Sequence, residues 1–545
     1  MSSPSSQHYP LKQTLLKWSM NPAGTESLVP DFTGRDAVEE QCYALKGLMV
    51  QAGKAQADSE NNFDKIILNT LKDAIHIELY LLENVCLWQK KPTVVVNIVN
   101  TISRILSNEN FEMEPGFLHF LKLLNRIPEL LQDSKTALLK PQTIWVEEVI
   151  NSINTLPTFL KEVATTISGM NSRQMKILEA PLKSASRACI DYKNWLNQKI
   201  LPNSFDDWAL GKDKYSELLS YFYSNQDIDS ISEYAEETLN NTTQQLKEFS
   251  LQDETRGTNR NSIVTTSFKH PENFQDILNE YSQSFENVKQ TMLELDLFSV
   301  PDNEKIVVTP TPECLKSFIP FVRLGGTFTK AVNKKIFING RIWITDPGDS
   351  PMMKEHSYPA ILNTAIHEGY PGHHLMNAYI QISDNPIHKY ICQNFSIGKG
   401  VEEGWAHYAE TVMVASKIQD YEKIEYTQLK NMKWRAARAI LDIALQVEQM
   451  PVEQAISRLN QTTNFPLNAA KREVMMYTQN PVYLLSYLFG IDQFNELRSK
   501  YVDNPSNSMS IKEFHINVLR IGNVPYESMD KILEIQHNQT IAKGG

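Results

Sequence analysis

The sequence predicts a mainly α-helical protein with two lobes and one small β element. Apolar residues recur near the helical period of 3.6 through almost all of residues 36–246. Strand-like runs are confined to about residues 306–345. The chain has 545 residues, of which 41% are hydrophobic, and this is enough for more than one core.

The N-terminal lobe is predicted to be helical and to cover residues 1–255. Ile67, Leu71 and Ile75 repeat at helical spacing, and a similar pattern runs over residues 117–127. Prolines at 115, 128, 157 and 202 punctuate the pattern at plausible helix ends. Because strand signals are nearly absent here, we expect an all-α layer with short connections.

The boundary between the lobes is predicted in a polar stretch. Residues 255–262 contain no apolar side chain, which is typical of a loop or a lobe boundary. The second lobe then covers residues 256–545. It begins with a helix over about 274–297, continues with the β element, and returns to helices after Leu375.

The clearest strand signal is the run Lys335–Ile344, which has Asn339-Gly340 at its centre. Two β-prone segments joined by Asn-Gly predict a β-hairpin with a type I′ turn. An edge strand of such a sheet could bind an extended peptide by strand addition. Alternatively, the hairpin only covers the core.

Composition excludes several classes of partner. The 64 acidic and 53 basic residues give a net charge of −11 without long runs, so no basic surface for nucleic acid is expected. Five widely spaced cysteines favour a reducing compartment over a disulfide scaffold. No signal-like or membrane-spanning apolar run is present. We therefore predict a cytoplasmic protein without a membrane partner; the sequence leaves its oligomeric state open.

A metal site is predicted in the stretch Thr364–Met376. His367, Glu368 and either His373 or His374 supply two imidazoles and a carboxylate. On an unbroken helix the position i+6 lies about 240° around the axis, and i+7 lies about 10.5 Å along it. The helix must therefore be interrupted, and the break is predicted at Tyr370-Pro371-Gly372, where proline restricts its neighbour and glycine tolerates positive φ.

That break would return His373 to the place of an i+4 ligand, so His373 is favoured as the ligand. His374 then has a supporting role, although it remains the alternative ligand. Glu368 lies next to a ligand and is predicted to act as general base on a metal-bound water. A carboxylate that only buttresses the helix is the competing interpretation.

A third protein ligand is expected on a later helix. Glu403, His407 and Glu410 share one helical face. We predict Glu403 as the ligand, with His407 and Glu410 orienting the ligands. One Zn²⁺ ion would then be held by His367, His373 and Glu403.

These motifs carry a family resemblance. His-Glu-x-x-Pro-Gly-His-His followed by Glu-Gly-Trp-Ala-x-Tyr-x-Glu resembles a large family of metallopeptidase-like proteins catalogued mainly as a domain of unknown function. That family is distantly similar to gluzincin carboxypeptidases and oligopeptidases with helical, bowl-like folds. The resemblance covers about the C-terminal half and implies a metallopeptidase-like fold. It also implies that Tyr487 could donate its phenol to an oxyanion, although a plain core tyrosine is as good an interpretation.

The chain departs from the family pattern at two places. Gln446 stands where the family usually has a histidine, and Pro481-Val482-Tyr483 replaces Pro-Gly-Gln. Arg438 and Asp442, at i and i+4, could form an intrahelical ion pair. Alternatively, an arginine such as Arg438 or Arg472 could hold a substrate carboxylate.

The predicted function is therefore a zinc-dependent hydrolase of amide or peptide bonds, of carboxypeptidase or oligopeptidase type, acting on short peptides. Two alternatives stay open. One is a catalytically silent binding or scaffold protein that retains the metal, and the other is a hydrolase of a small non-peptide amide.

Overall fold

The computed structural model describes residues 34–107, 114–169, 172–223, 226–255, 269–316, 318–319, 321–332, 335–348, 351–418, 421–504 and 509–544. It confirms the mainly helical fold with a small three-stranded sheet. In the first part of the chain the helices are α1 (Arg35–Asp58), α2 (Asn62–Tyr80), α3 (Leu87–Lys90), α4 (Val94–Ser107), α5 (Glu114–Ala137), α6 (Thr143–Ser168), α7 (Ser172–Trp195), α8 (Lys212–Phe222), α9 (Ile228–Thr255) and α10 (Phe274–Glu294).

The sheet and ten further helices follow. The strands are β1 (Glu304–Pro310), β2 (Val322–Val332) and β3 (Lys335–Ile344). The helices are α11 (Tyr358–Thr364), α12 (His373–Gln381), α13 (Pro386–Asn394), α14 (Lys399–Ala415), α15 (Tyr421–Gln446), α16 (Val452–Thr463), α17 (Leu467–Tyr477), α18 (Ser486–Arg498), α19 (Ile511–Ile521) and α20 (Tyr526–Gly544).

The chain divides into two compact units, each discontinuous in sequence. The first comprises the described residues within Met1–Glu60, Ile75–Trp208 and Thr311–Gly326. The second comprises those within Asn61–Ala74, Ala209–Pro310 and Thr327–Gly545. This division differs from a single boundary near residue 255, because residues 61–74 and α8–α9 group with the second unit. The predicted boundary stretch itself lies partly outside the described residues.

The first unit buries one apolar face of each main helix. In α4, nine of the fourteen residues are buried, and these include Val95, Ile98 and Ile102 at the helical spacing. The core of this unit consists of fully buried aliphatic and aromatic side chains, among them Leu106, Phe120, Leu124, Ile127, Val146 and Val163. Burial of this face stabilises helices whose own propensity is modest.

Helix α10 of the second unit begins where the sequence predicts it. The side chain of Asn273 accepts a hydrogen bond from the backbone N–H of Asp276 at 3.0 Å and caps the first turn. The helix ends at Glu294, three residues before the predicted end. Phe298 follows it and is fully buried against Trp405 of α14.

The predicted hairpin at Asn339-Gly340 is wrong. Residues 335–344 form one continuous strand, β3, which lies between β1 and β2. Strands β1 and β3 pair in parallel, with Glu304 opposite Ile338 and Pro310 opposite Ile344. Pairing along the whole strand outweighs the local preference of Asn-Gly for a turn. Glycine is needed at position 340 for another reason. An added Cβ at Gly340 would lie 2.3 Å from Nδ1 of His374.

The change Gly340→Ala should therefore destabilise the protein, by about 1–3 kcal/mol, because an extra methyl group must displace a buried imidazole. Thermal unfolding would measure the effect. The matched control is Gly47→Ala in α1, where nothing lies within 4 Å of an added Cβ and the change should be neutral or stabilising. Equal melting temperatures for Gly340→Ala and wild type would contradict this account.

Among the helices described here, none is both long and apolar enough to cross a membrane.

Candidate metal centre

The metal motif lies at an interrupted helix, as predicted. Helix α11 passes into a π-helical turn over Ala365–Gly369, and α12 begins at His373. Between them Tyr370 is extended and is joined to Pro371 by a cis peptide bond. The indole Nε1 of Trp405 donates to the carbonyl oxygen of Pro371 at 2.9 Å and ties the break to α14.

Gly372 has a role other than the predicted positive φ. Its φ is −71° and is therefore not positive. However, an added Cβ would lie 1.8 Å from the carbonyl oxygen of His367. Glycine is therefore required by the close approach of two backbone segments, and this approach brings His373 back toward His367.

The structure brings the three predicted ligands together. Oε2 of Glu403 lies 3.7 Å from Nε2 of His367 and 3.6 Å from Nε2 of His373. Two ligands of a tetrahedral zinc ion, each about 2.1 Å from it, lie about 3.4 Å apart. Each of these two separations fits a pair of ligand atoms that share one ion.

The hydrogen bonding of Glu403 supports this fit. Its Oε2 is buried and has no hydrogen-bond partner among the residues that the structure describes, whereas its Oε1 accepts bonds from two phenols, Tyr487 at 2.8 Å and Tyr483 at 3.0 Å. A buried carboxylate oxygen beside two imidazole nitrogens needs a nearby cation, which is either a metal ion or a protonated imidazole. The donor set of two nitrogens and one carboxylate oxygen is typical of catalytic zinc.

Helix packing positions the two phenols. Helices α14 and α18 cross so closely that an added Cβ on Gly404 would lie 2.6 Å from Cα of Gly490. This close approach sets Tyr487, on the first turn of α18, against Glu403 on α14. The two phenol oxygens lie 3.0 Å from one another.

Glu410 organises the far side of the centre. Its Oε1 accepts hydrogen bonds from Nδ1 of His367 at 2.7 Å, from Nδ1 of His407 at 2.9 Å and from the guanidinium of Arg435 at 3.1 Å. Such a carboxylate orients the imidazole and sets its tautomer, with Nε2 left for a metal. Glu410 thus contacts both His367 and His407, and the roles predicted for Glu410 and His407 stay predictions.

The electrostatics of the centre follow from burial and proximity. Burial would lower the pKa of His373, yet the carboxylates of Glu403, Glu368 and Glu402 raise this pKa to about 10. Burial also acts to raise the pKa of Glu403, but the nearby His373 holds it well below its usual value. Burial and the charge of Arg435 lower the pKa of His407 to about 3, so this imidazole is neutral.

Glu368 lies beside the ligands. One oxygen of Glu368 and one nitrogen each of His367 and His373 lie within 4.8 Å of one another. This carboxylate is part of the same π-helical turn as His367. It is therefore placed to exchange a proton with a group bound between these residues.

His374 lies apart from the ligand cluster. Its Nε2 bonds to Glu304 of β1, and its Nδ1 lies 3.2 Å from the hydroxyl of Thr327. Tyr370 donates to the same oxygen of Glu304, and Nζ of Lys289 lies 3.1 Å from the other. His374 thus ties the interrupted helix to the sheet.

The arginine candidates have different surroundings. Arg438 stacks on Trp434 at 3.8 Å from the ring centre and pairs with Glu473 at 2.8 Å, so the intrahelical pair with Asp442 is not formed. Its guanidinium also lies 4.6 Å from the ring centre of Tyr487. Arg472 is exposed on α17. Neither arginine is a ligand of the centre.

Asp442 and Gln446 on α15 support the segment that carries the phenols. Asp442 is fully buried, and its Oδ2 accepts from the hydroxyl of Tyr215 and the backbone N–H of Val482, each at 2.8 Å. Gln446 donates to the carbonyl oxygens of Tyr477 and Thr478. Val482 has a φ of +70°, a value that favours glycine, and it directly precedes Tyr483.

Asp442→Asn should make stability less dependent on pH. Burial raises the pKa of Asp442 from 3.8 to about 7, despite its two hydrogen bonds. As pH rises from about 4 to about 7, the unfolded chain loses this proton before the folded chain does, which lowers the free energy of unfolding. Asparagine can accept both hydrogen bonds and does not titrate.

The difference in melting temperature, that of Asp442→Asn minus that of wild type, should therefore be more positive near pH 8 than near pH 5. Comparing the same pair of proteins at both pH values removes the contribution of other titrating groups. A difference in melting temperature that is the same at both pH values would contradict the raised pKa of Asp442.

Sequence reasoning did not predict three contacts of the centre. Tyr483 bonds to Glu403, Arg435 bonds to Glu410, and Glu304 bonds to His374. For Tyr483 a signal existed, because it lies four residues before Tyr487 and four is the helical spacing. For Glu304 no local signal existed, since its partner is seventy residues away.

Comparison with solved structures gives the fold of this chain. A candidate lipoprotein of unknown function from Shewanella oneidensis is 16% identical, with a TM-score of 0.74 over 97% of this chain and 100% of that one. A candidate lipoprotein from Colwellia psychrerythraea is 14% identical, with a TM-score of 0.75 over 98% and 100%. A carboxypeptidase from Pyrococcus furiosus aligns at 11% identity, over 98% of this chain and 99% of that one, with a TM-score of only 0.38.

A comparison with curated proteins gave no match. The profile of the family described as "Bacterial protein of unknown function (DUF885)" matches residues 22–533, which is nearly the whole chain. The chain is therefore a member of the DUF885 family.

Proposed function

We propose that this protein is a zinc-dependent hydrolase of amide bonds, and specifically a peptidase that acts on short peptides. The observation that carries the proposal is the state of Glu403. Its Oε2, which has no hydrogen-bond partner among the described residues, lies 3.7 and 3.6 Å from two imidazole nitrogens, while its Oε1 accepts hydrogen bonds from two phenols. His367, His373 and Glu403 would hold the ion, which leaves further coordination positions for water and substrate.

A zinc ion bound there supplies a Lewis acid and lowers the pKa of a bound water to about 7. Glu368 is the group that takes the proton from the nucleophile and delivers it to the leaving amine. Tyr483 and Tyr487 hold Glu403 in position, and the Tyr487 phenol is also a candidate donor to the developing oxyanion. Glu410 orients the imidazoles of His367 and His407 through hydrogen bonds to their Nδ1 atoms.

The proposal is tested by metal content and by product analysis on the same preparation. Protein purified without chelator should contain about one zinc per chain, or take it up on addition. A mixed peptide library should be cleaved, with loss of cleavage after chelation and recovery with zinc. Mass spectrometry of the products distinguishes trimmed C-termini from internal cuts.

Two outcomes would overturn parts of the proposal. Protein that remains without metal after zinc addition would exclude the metalloenzyme. Bound zinc without any peptide cleavage would instead favour a metal-retaining binding protein, or a hydrolase of a small non-peptide amide. A panel of such amides would then separate these two alternatives.

A further inference from the structure

We propose that His407 is a fourth protein donor to the metal at this centre, through its Nε2. The inference rests on the proposed metal site and extends it. It changes the expected donor set from two imidazoles and a carboxylate to three imidazoles and a carboxylate.

The tautomer of His407 is determined by its hydrogen bond to Glu410. Its Nδ1 lies 2.9 Å from Oε1 of Glu410, the same oxygen that lies 2.7 Å from Nδ1 of His367. An ionised carboxylate only accepts hydrogen bonds, so both imidazoles carry their proton on Nδ1. The Nε2 atom of each ring then presents a lone pair. His407 is therefore prepared for a metal in the same way as His367, the predicted ligand.

Two buried polar atoms of the centre, Nε2 of His407 and Oε2 of Glu403, have no hydrogen bond within the described residues. His407 is 2% exposed, and no hydrogen-bond partner of its buried Nε2 is present in the described part of the chain. Oε2 of Glu403 is buried as well. Both atoms are acceptors and cannot satisfy one another. Leaving a buried polar atom unpaired typically costs about 1–3 kcal/mol, and a shared cation removes this cost for both.

Donor atoms of His407, His367 and Glu403 lie close together. One ring nitrogen of His407, one of His367 and one oxygen of Glu403 lie within 4.8 Å of one another. Two donors on opposite sides of one ion, each about 2.1 Å from it, lie at most about 4.2 Å apart. The upper limit on the separations of the three atoms is therefore close to the span of one coordination sphere. The His367 and His407 rings are already adjacent, with centroids 4.7 Å apart.

The donor set has a consequence for catalysis. Four protein donors would close a tetrahedral site, whereas a catalytic zinc keeps an open position. A zinc ion would keep a free coordination position only if its coordination number were five or more, since four protein donors would bind it: His367, His373, Glu403 and His407. The resting centre is thus expected to be five-coordinate, with one position for water or substrate.

X-ray absorption at the zinc edge tests this inference on the full-length protein loaded with one equivalent of zinc. Imidazole rings scatter in a characteristic way, so the spectrum reports how many histidines bind the ion. Wild type should show three imidazoles. The variant His407→Asn should show two imidazoles. Asparagine can keep the hydrogen bond to Glu410 through its amide nitrogen, but it has no donor atom at the position of Nε2.

The control is His374→Asn, which changes a neighbouring buried histidine that bonds to Glu304. This variant should keep three imidazoles. Zinc affinity should fall at least about tenfold in His407→Asn, but affinity alone also falls for a residue that only orients a ligand. The imidazole count is therefore the deciding measurement.

The outcomes separate the two proposals. A wild-type spectrum with two imidazoles would overturn the role of His407 and leave the proposed function intact. A wild-type protein that takes up no zinc would overturn the proposed function and this inference together. If His407→Asn retains the wild-type spectrum, His407 is an orienting residue and not a ligand.

Discussion

Glu368→Gln should leave the metal bound and lower peptide hydrolysis by about 10²–10⁴-fold. Glutamine keeps the size and shape of the side chain, but it cannot accept a proton from the nucleophile. Since His367, His373 and Glu403 supply the proposed ligand atoms, the zinc stoichiometry should not change. Initial rates and metal analysis on the same preparation measure both quantities.

The control for this prediction is Glu425→Gln, the same change at an exposed position of α15. It should have wild-type rates and wild-type zinc content. If Glu368→Gln loses its zinc, Glu368 is a ligand rather than a base. If Glu368→Gln hydrolyses peptides at the wild-type rate, it is neither, and the proposed chemistry must use another group.

Glu403→Gln should have the opposite pattern, with a large loss of metal affinity as its first effect. A ligand carboxylate contributes both charge and a bond, and glutamine removes the charge. Its amide oxygen can still accept the hydrogen bonds of Tyr483 and Tyr487, so the local packing should survive. Activity should return, if at all, only at high added zinc. Zinc titration against a competing chelator measures the change in affinity.

An exposed glutamate of the second unit, Glu453 on α16, provides the matched control. Glu453→Gln makes the same change in net charge and should leave zinc affinity unchanged. Retention of wild-type affinity by Glu403→Gln would remove Glu403 from the ligand set. Because Glu368→Gln is predicted to lose activity and Glu403→Gln to lose metal affinity, the pair of variants distinguishes the general base from the ligand.

Local sequence determined the features that depend on neighbours in the chain. The 3.6-residue period of apolar side chains predicted helices, because a helix buries one stripe of its surface. Pro371 predicted the break between His367 and His373, because proline restricts its own backbone and that of Tyr370. The helical spacing of Glu403, His407 and Glu410 predicted that these side chains would share one face.

Tertiary structure decided the features in which distant segments compete with local preference. Asn339-Gly340 favours a turn, yet the strand continues because β1 pairs alongside it and His374 occupies the space beside Gly340. The bond from His374 to Glu304, and the pair of phenols on Glu403, join residues seventy or more positions apart.

The same limit applies to the supporting residues on α15. Asp442 and Gln446 were expected near the site because of the resemblance, but their contacts with Tyr215, Val482 and Tyr477 depend on how three segments pack. Backbone preferences act over a few residues, and they can therefore be predicted from the sequence. Which buried polar group meets which partner is decided only when the segments come together, because each group then takes the nearest partner that relieves the cost of its burial.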